Sequence, residues 1–338
     1  MSPLPLSILQ LAGGIVLLIV GGTGLVRSSV ALAERLGVST FVIGVTIVAW
    51  GTSAPETALN VIASIEDKGA LAFGNLVGAS IANLTLILGI AALVRPLPVA
   101  ADIRRRALPF MLTLLLVVTA VIAWPALRGR ATVGMDRPGA AVLLGAFVFY
   151  AVLTVWGALR PGARDIRGRK GEEDVRRSRM PIWLAILILV VSIALLVLGG
   201  ALAVDGASGL ARWLGLGEQV IGLTIVALGT TSPELVATLM AIRQRQGDLA
   251  LGNAIGSTLF NMGFILALAT LIHPADLPLT VLYSLGALCA AAIVLSVFSR
   301  TAEAKVTRVE GGLLAGIYVA WAAIIAARAA MTATGPGG

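Results

Sequence analysis

A polar hexapeptide occurs twice in this chain, each time inside a long apolar segment. It reads Gly-Thr-Ser-Ala-Pro-Glu at residues 51–56 and Gly-Thr-Thr-Ser-Pro-Glu at residues 229–234. An ionised side chain at the centre of a bilayer costs roughly 3 kcal/mol or more, so a spanning segment retains one only where it has a partner. Glu56 and Glu234 therefore each require a cation.

Each hexapeptide also combines residues that interrupt a helix with residues that bind hard cations. Proline lacks an amide donor and clashes with the preceding turn, and glycine is conformationally loose. In a bilayer such a break is tolerated only where the freed backbone groups face protein or a polar cavity. The free carbonyls, hydroxyls and carboxylate are the kinds of oxygen that Ca2+ prefers, in sets of roughly six to eight. One copy is compatible with a structural kink, whereas two copies favour a shared cation site.

The duplication extends beyond the hexapeptides. Residues 42–93 align with residues 220–271 at a constant offset of 178, without a gap, and 23 of the 52 positions are identical. We expect five spans per copy, and because this number is odd, the second copy must enter the membrane from the opposite side. The repeat predicts two inverted halves whose broken helices meet near the midplane, as is common in secondary transporters.

Composition assigns the chain to the membrane. Of its 338 residues 58% are hydrophobic and only 12% are charged, whereas a soluble domain carries about 25% charged residues. Apolar runs long enough to cross a bilayer predict ten spans, near residues 8–26, 37–65, 70–94, 107–124, 139–157, 182–204, 218–242, 248–272, 278–298 and 310–329. We predict an all-α membrane protein with ten transmembrane helices as two inverted five-helix repeats, in which helices 2 and 7 are broken.

The basic residues predict the orientation. The net charge is +8, and 19 of the 25 lysines and arginines fall in loops on one side of the predicted topology. The positive-inside rule makes that side cytoplasmic and puts both termini outside, in the cell (inner) membrane. The predicted units are a first repeat over 1–157, a basic cytoplasmic loop over 158–181 and a second repeat over 182–338. This charge pattern indicates a lipid bilayer rather than nucleic acid as the partner, and no obligatory protein partner is implied.

Further polar residues match between the two copies. A Gly-Asn-x-x-Gly sequence occurs at 74–78 and again at 252–256, and Asn83 corresponds to Asn261. For the glycines, close helix packing is favoured over ion contact. A carboxamide deep in an apolar span needs partners. Interhelical hydrogen bonding and a place beside the ion cluster are the two readings of Asn83 and Asn261, and we favour the second.

These residues resemble the sodium/calcium exchangers of the calcium:cation antiporter superfamily, in their prokaryotic form. The two alpha-repeats of that family carry Gly-Thr-Ser-x-Pro-Glu, then Gly-Asn-x-x-Gly, then a polar residue at the positions of Asn83 and Asn261. The resemblance implies a secondary active antiporter that exchanges Ca2+ for Na+ by alternating access. It implies no cofactor and no enzymatic activity.

The resemblance also implies a four-site cluster at the centre of the protein, where one Ca2+ or several Na+ bind alternately. Ca2+ would be bound by Glu56 and Glu234 with the carbonyl oxygens of Thr52 and Thr230. Sodium sites would use both glutamates and five further residues, through the carbonyls of Ala49 and Ala227 and the side chains of Ser53, Thr231 and Ser257. Asn83 and Asn261 would border the central site.

Two positions depart from the family pattern. A hydroxyl residue often stands where this chain has Ala79, so one sodium site would lose a ligand or use water. Many prokaryotic members and the potassium-dependent branch have Asp where this chain has Asn261. From the uncharged amide we infer potassium independence and little proton coupling.

Other functions use the same features less well. A proton/calcium exchanger, or one for another divalent cation, is the nearest alternative, because it shares the fold. A channel could use the same glutamates, but its flux would need no counter-ion. An intramembrane enzyme is disfavoured because no His-Glu-x-x-His sequence occurs and the single histidine, His273, begins a predicted loop. For the transporter we expect gating motion of spans 1 and 6, which contain paired glycines.

Overall fold

The computed structural model describes residues 4–129, 131–159, 180–215, 227–301 and 304–333. Nearly all of them are helical, and the basic loop predicted at 158–181 falls mostly outside the described ranges. Twelve helices lie in the described part of the chain: α1 Leu4–Leu36, α2 Thr40–Thr52, α3 Ala54–Ile65, α4 Gly69–Val94, α5 Ile103–Leu127, α6 Arg137–Leu159, α7 Ile182–Trp213, α8 Ala227–Thr230, α9 Ser232–Arg243, α10 Gly247–Ile272, α11 Val281–Phe298 and α12 Arg308–Ala333.

Eight of these helices are long and apolar enough to cross a membrane: α1, α4, α5, α6, α7, α10, α11 and α12. They correspond to eight of the ten predicted spans. The other two predicted spans contain the hexapeptides and are interrupted by them. The all-helical class is therefore confirmed.

Helices α4 and α10 occupy the centre of the bundle. In their most apolar stretches 72% and 78% of the residues are buried, against 39% or less in the other six long helices. The long helices at the periphery expose large apolar side chains, such as Leu9, Val142 and Trp183. In a bilayer these side chains face lipid. The centre of the fold is thus made by the two helices that carry the Gly-Asn-x-x-Gly sequences.

Helices α1 and α7 are much longer than predicted, at 33 and 32 residues. At about 1.5 Å per residue each extends about 50 Å, well beyond the roughly 30 Å hydrocarbon core of a bilayer. They pack closely along each other through glycines. A Cβ atom added at Gly14 would lie 2.7 Å from the carbonyl oxygen of Gly199, so this contact excludes any side chain.

Both hexapeptides interrupt their helices at one residue. Ser53 separates α2 from α3 and Thr231 separates α8 from α9, and in each case the next helix has proline in its first turn. Because Pro55 lacks an N–H, the carbonyl of Gly51 has no helical donor. The described part of the chain also has four wider π-helical turns, at Gly44–Val48, Asn83–Ile87, Ile103–Ala107 and Phe260–Ile265.

Two short antiparallel strand pairs link the loops. β1 (Leu97–Pro98) pairs with β4 (Lys305–Val306), and β2 (Thr132–Val133) pairs with β3 (Leu277–Pro278). Each pair joins a loop of the first half of the chain to a loop of the second half. The two halves are therefore fastened to each other by the strand pairs as well as by helix packing.

Candidate cation-binding site

Glu56 and Glu234 are the two acidic side chains that are buried among the residues the structure describes, each 1% exposed. Each lies in the first turn of a helix, directly after a proline. The N-terminus of a helix presents free N–H groups and a partial positive charge, which favours a carboxylate there. The hexapeptide thus explains locally why a carboxylate is stable at this point of each chain segment.

A hydrogen bond joins the two hexapeptides. The hydroxyl of Ser53 donates to Oε1 of Glu234 over 3.1 Å. Ser53 lies one helical turn before Glu56 on the same buried face, and the two carboxylates are close enough to interact electrostatically. The structure thus brings the hydroxyl of Ser53 in the first hexapeptide to the carboxylate of Glu234 in the second.

Six of the ten buried side-chain oxygens without a hydrogen-bond partner in the described residues belong to predicted ligands; the other four are in Ser29, Asn60, Ser208 and Ser296. Among the described residues no hydrogen bond reaches six such atoms of the predicted set: Oε1 and Oε2 of Glu56, Oε2 of Glu234, Oδ1 of Asn83, Oδ1 of Asn261 and Oγ of Ser257. An unsatisfied buried polar atom costs about 1–3 kcal/mol. These oxygens can coordinate a cation that supplies the missing partner.

The remaining predicted residues belong to α2, to α8 and to the junction between α8 and α9. Ala49 and Thr52 are fully buried, and the carbonyl of Ala49 accepts from the amide of Ser53 over 3.0 Å. Thr230 and Thr231 line a cavity of about 540 Å³ beside α4 and α12. Ala227 begins α8, and its side chain lies outside the described part of the structure.

Asn83 of α4 and Asn261 of α10 begin or lie within π-helical turns. Asn83 begins the turn Asn83–Ile87, and Asn261 belongs to Phe260–Ile265. Both are 1% exposed. Single π-helical turns occur frequently at functional sites, where they reorient a side chain. With Oδ1 of both residues unpartnered, the arrangement favours placement beside the ion cluster over interhelical hydrogen bonding.

Ala79 leaves a gap in this set. It is 5% exposed and lies between Asn75 and Asn83 on α4, with no polar side-chain atom. The corresponding residue of α10 is Ser257, whose Oγ is buried and unpartnered. The two halves therefore offer unequal numbers of oxygen ligands.

Three polar residues that sequence reasoning left without a role surround the glutamates. Asn253 donates from Nδ2 to Oγ1 of Thr238 over 3.1 Å and to the carbonyl of Glu234 over 3.3 Å. Asn60 donates from Nδ2 to the carbonyl of Glu56 over 2.6 Å. Asn60 and Thr238 are matched positions one helical turn after the two glutamates, and that shared polarity in an apolar segment was the available signal.

The glycines of the two Gly-Asn-x-x-Gly sequences differ in environment. Cβ atoms added at Gly252 and Gly256 would lie 2.6 Å from the carbonyl oxygen of Phe41 and from Cα of Val45. At Gly74 nothing lies within 4 Å, and at Gly78 the nearest atom belongs to Trp321 at 3.6 Å. The predicted packing role is thus confirmed for the second copy alone.

A lipid-facing helical bundle with buried carboxylate, amide and hydroxyl oxygens at its centre has the features of an ion-transporting membrane protein. The family described as "Sodium/calcium exchanger protein" matches residues 6–156 and 184–327. The chain belongs to this family. It is a transmembrane cation antiporter of the sodium/calcium exchanger type, in its prokaryotic form.

Individual relatives agree with this assignment. The chain is 32% identical to "Sodium/calcium exchanger MaX1" of Methanosarcina acetivorans over 92% of its own length and 96% of that protein. It is 36% identical to "Putative antiporter CaxA" of Alkalimonas amylolytica over 77% of its length and 79% of that protein. Solved structures of the sodium-calcium exchanger NCX_Mj superpose with a TM-score of 0.78 at 28% identity, covering 94% of this chain and 98% of that one.

Proposed function

We propose that this protein exchanges Ca2+ for Na+ across the membrane by alternating access, with Glu56 and Glu234 as the shared charged ligands. Two carboxylates supply two negative charges, which one dehydrated Ca2+ neutralises. Sodium carries a single charge, so more than one ion must bind to balance the same pocket. Charge balance therefore favours exchange of the two cations over their simultaneous binding.

The architecture that we propose has ten membrane crossings in two inverted five-helix repeats, over 1–157 and 182–338, with the basic loop 158–181 cytoplasmic and both termini outside. Eight helices would cross in one piece, and the segments with the hexapeptides would cross as broken helices. The gapless repeat supports this plan. So do the strand pairs, since each half contributes one strand to each pair.

The proposed ligands are those of the family pattern: both glutamates, the carbonyls of Ala49, Thr52, Ala227 and Thr230, the hydroxyls of Ser53, Thr231 and Ser257, and the amides of Asn83 and Asn261. One observation carries the proposal. The buried oxygens without partners, in the described residues, include those of both glutamates, both asparagines and Ser257. A structural role for these groups would leave each of them unsatisfied.

The proposed orientation makes the described conformation outward-facing. Helix α4 would begin at the outer surface, so Gly74, Asn75 and Gly78 lie in the outer half of the bundle. The cavity that these residues line, of about 540 Å³, reaches Thr230 and Thr231 of the second hexapeptide. Ions would enter the cluster along this cavity.

The test is uptake of radioactive calcium into liposomes that contain the purified protein, driven by an outward sodium gradient. Glu56→Gln and Glu234→Gln should each lower uptake at least about 100-fold, because a buried charged hydrogen-bonding group is worth several kcal/mol when its partner is removed. Glu66→Gln makes the same chemical change at the end of the same helix α3, where the carboxylate forms an exposed pair with Lys68 over 2.7 Å, and should retain uptake.

Normal uptake by Glu56→Gln would contradict the proposed site. A pH gradient in place of the sodium gradient tests the nearest alternative, a proton/calcium exchanger. Uptake driven by protons and not by sodium would reassign the coupling ion while leaving the glutamates as ligands. Sodium-driven uptake with little effect of a pH gradient is the result that we expect.

A further inference from the structure

Asn253 connects three segments of the chain in this structure. Its Nδ2 donates to Thr238 and to the carbonyl of Glu234, both on α9. Its Oδ1 lies 3.3 Å from the hydroxyl of Thr52 on α2, which is the donor. Asn253 is 1% exposed. A single amide on α10 therefore holds α2 and α9 together beside the candidate ion site.

In the other copy the matched amide nitrogen makes neither of the two corresponding hydrogen bonds. At the offset of 178, Asn253 corresponds to Asn75, Thr238 to Asn60, and the carbonyl of Glu234 to that of Glu56. In the described part of the chain, Nδ2 of Asn75 and Oδ1 of Asn60 are both buried without a partner. The carbonyl of Glu56 instead accepts from Asn60 of its own helix. A donor and an acceptor that would satisfy each other are thus left apart.

The packing around the two asparagines differs in the same way as their hydrogen bonding. Gly252 and Gly256 flank Asn253 and leave no room for a Cβ atom against α2. Gly74 and Gly78 flank Asn75, and together with it they line the cavity of about 540 Å³. The amide nitrogen of Asn253 is engaged where α10 packs against α2, and the amide nitrogen of Asn75 is unpartnered where α4 borders the cavity.

We propose that Asn253 and Asn75 are alternating positioning residues, each of which closes its own side of the ion site when it engages. In the conformation described, Asn253 is engaged and the side of Asn75 is open. In the opposite conformation Asn75 bonds to Asn60 and to the carbonyl of Glu56, while Asn253 is released. This inference rests on the proposed alternating access and names the contacts that distinguish its two states.

An amide suits this role because of its geometry and its neutrality. It has two donor hydrogens on one nitrogen and a separate acceptor oxygen, so one residue can join three segments. It has no charge, so its engagement does not change the charge of the site as the cations exchange. In each of the two conformations one of the two amides has its hydrogen-bond partners and the matched amide does not. Two such alternative arrangements give an element with two discrete states.

The test measures how open the cavity is, using a cysteine at position 79. The single native cysteine, Cys289, is buried and is replaced by serine in all variants. Ala79 lines the cavity, and Ser257 at the matched position shows that the closed packing accommodates a side chain of this size. The rate at which a polar maleimide labels Ala79→Cys in detergent then reports the fraction of open molecules. This readout does not depend on which cation the protein transports.

Asn253→Ala removes contacts made only in the open-cavity state, so labelling should slow. Asn75→Ala removes contacts made only in the opposite state, so labelling should stay as fast or become faster. With buried hydrogen bonds at stake, we expect the rate for Asn75→Ala to exceed the rate for Asn253→Ala about fivefold or more. A smaller ratio would overturn the proposal.

A second pair of variants keeps the test decisive if Asn253→Ala does not fold. Thr238→Val removes one contact that Asn253 makes in the open-cavity state, so labelling should slow. The rate for Asn75→Ala should exceed that for Thr238→Val about twofold or more, and equal rates would overturn the proposal. Failure of sodium coupling would appear in calcium uptake, whereas failure of the alternating contacts would appear in labelling.

Discussion

Helices α4 and α10 carry the same Gly-Asn-x-x-Gly sequence and occupy opposite environments. α10 is packed against α2 so closely that Gly252 and Gly256 exclude any side chain, whereas Gly74 of α4 has open space. Under the alternating access that we propose, this difference between matched glycines belongs to the conformational state. The repeated sequence is compatible with a packed and with an open environment of the helix, and in this structure α10 has the packed environment and α4 the open one.

We expect the largest effect on stability from substitutions of the glycines, which test directly whether the two helices are packed differently. Gly256→Val inserts two methyl groups and a Cβ atom where Cα of Val45 would lie 2.6 Å away. We expect a loss of about 3 kcal/mol or more of stability and little folded protein, because backbone cannot retreat as a flexible side chain does. Thermal unfolding in detergent, followed by monodispersity on size-exclusion chromatography, measures this.

Gly78→Val is the matched control for that change. The nearest atom to its Cβ is on Trp321, at 3.6 Å, so the described conformation accommodates the new side chain. We expect a folded protein that transports poorly, because the valine would meet α8 when that side closes. Equal destabilisation by the two variants would show that the two helices are packed alike in solution.

The sequence was sufficient to predict those features of the candidate site that depend on a few neighbouring residues. Proline and glycine marked the helix interruptions at Ser53 and Thr231, and a carboxylate after each proline identified Glu56 and Glu234 as partners for a cation. Three features were beyond such signals: the length of α1 and α7, the π-helical turns at Asn83 and Asn261, and the different environments of the matched residues Asn75 and Asn253. Each depends on how helices pack, and a repeat predicts equal environments for residues that the structure places in unequal ones.

Asn261→Asp sharpens the comparison by adding a third carboxylate to the cluster. Three carboxylates in one dry pocket repel one another, so the empty site of this variant holds an additional proton, which Ca2+ must displace when it binds. Apparent calcium affinity should then weaken as pH falls, by up to about tenfold per pH unit, the limit for displacing one proton. Calcium uptake measured between pH 6 and 8, against the unmodified chain, tests this.

The same change on the other side is the control for Asn261→Asp. Asn83→Asp places the acid at the matched position of α4, where Oδ1 is equally buried and unpartnered. If the two asparagines border one central site, both variants should acquire the same pH dependence. A pH response in neither variant would remove the support for weak proton coupling through the amide at position 261.

The smallest expected effect concerns the unequal hydroxyls of the two halves. Ser257 offers a buried Oγ to the site, and Ala79 at the matched position offers none. Ser257→Ala should therefore weaken apparent sodium affinity about two- to tenfold, the range of one hydrogen-bonding group, with less effect on calcium. Ala79→Ser should strengthen sodium affinity by a similar factor, because it adds to α4 the oxygen that Ser257 supplies in α10.

Sodium titration of calcium uptake measures the sodium affinity of both variants. The double variant should return close to the original affinity if the two positions contribute equivalent ligands to opposite sides of one pocket. If Ala79→Ser leaves sodium affinity unchanged while Ser257→Ala weakens it, water in the cavity beside α4 must supply the missing ligand to the ion. The unequal ligands of the two halves would then be part of the transport cycle, and adding one hydroxyl at position 79 would not make the halves equivalent.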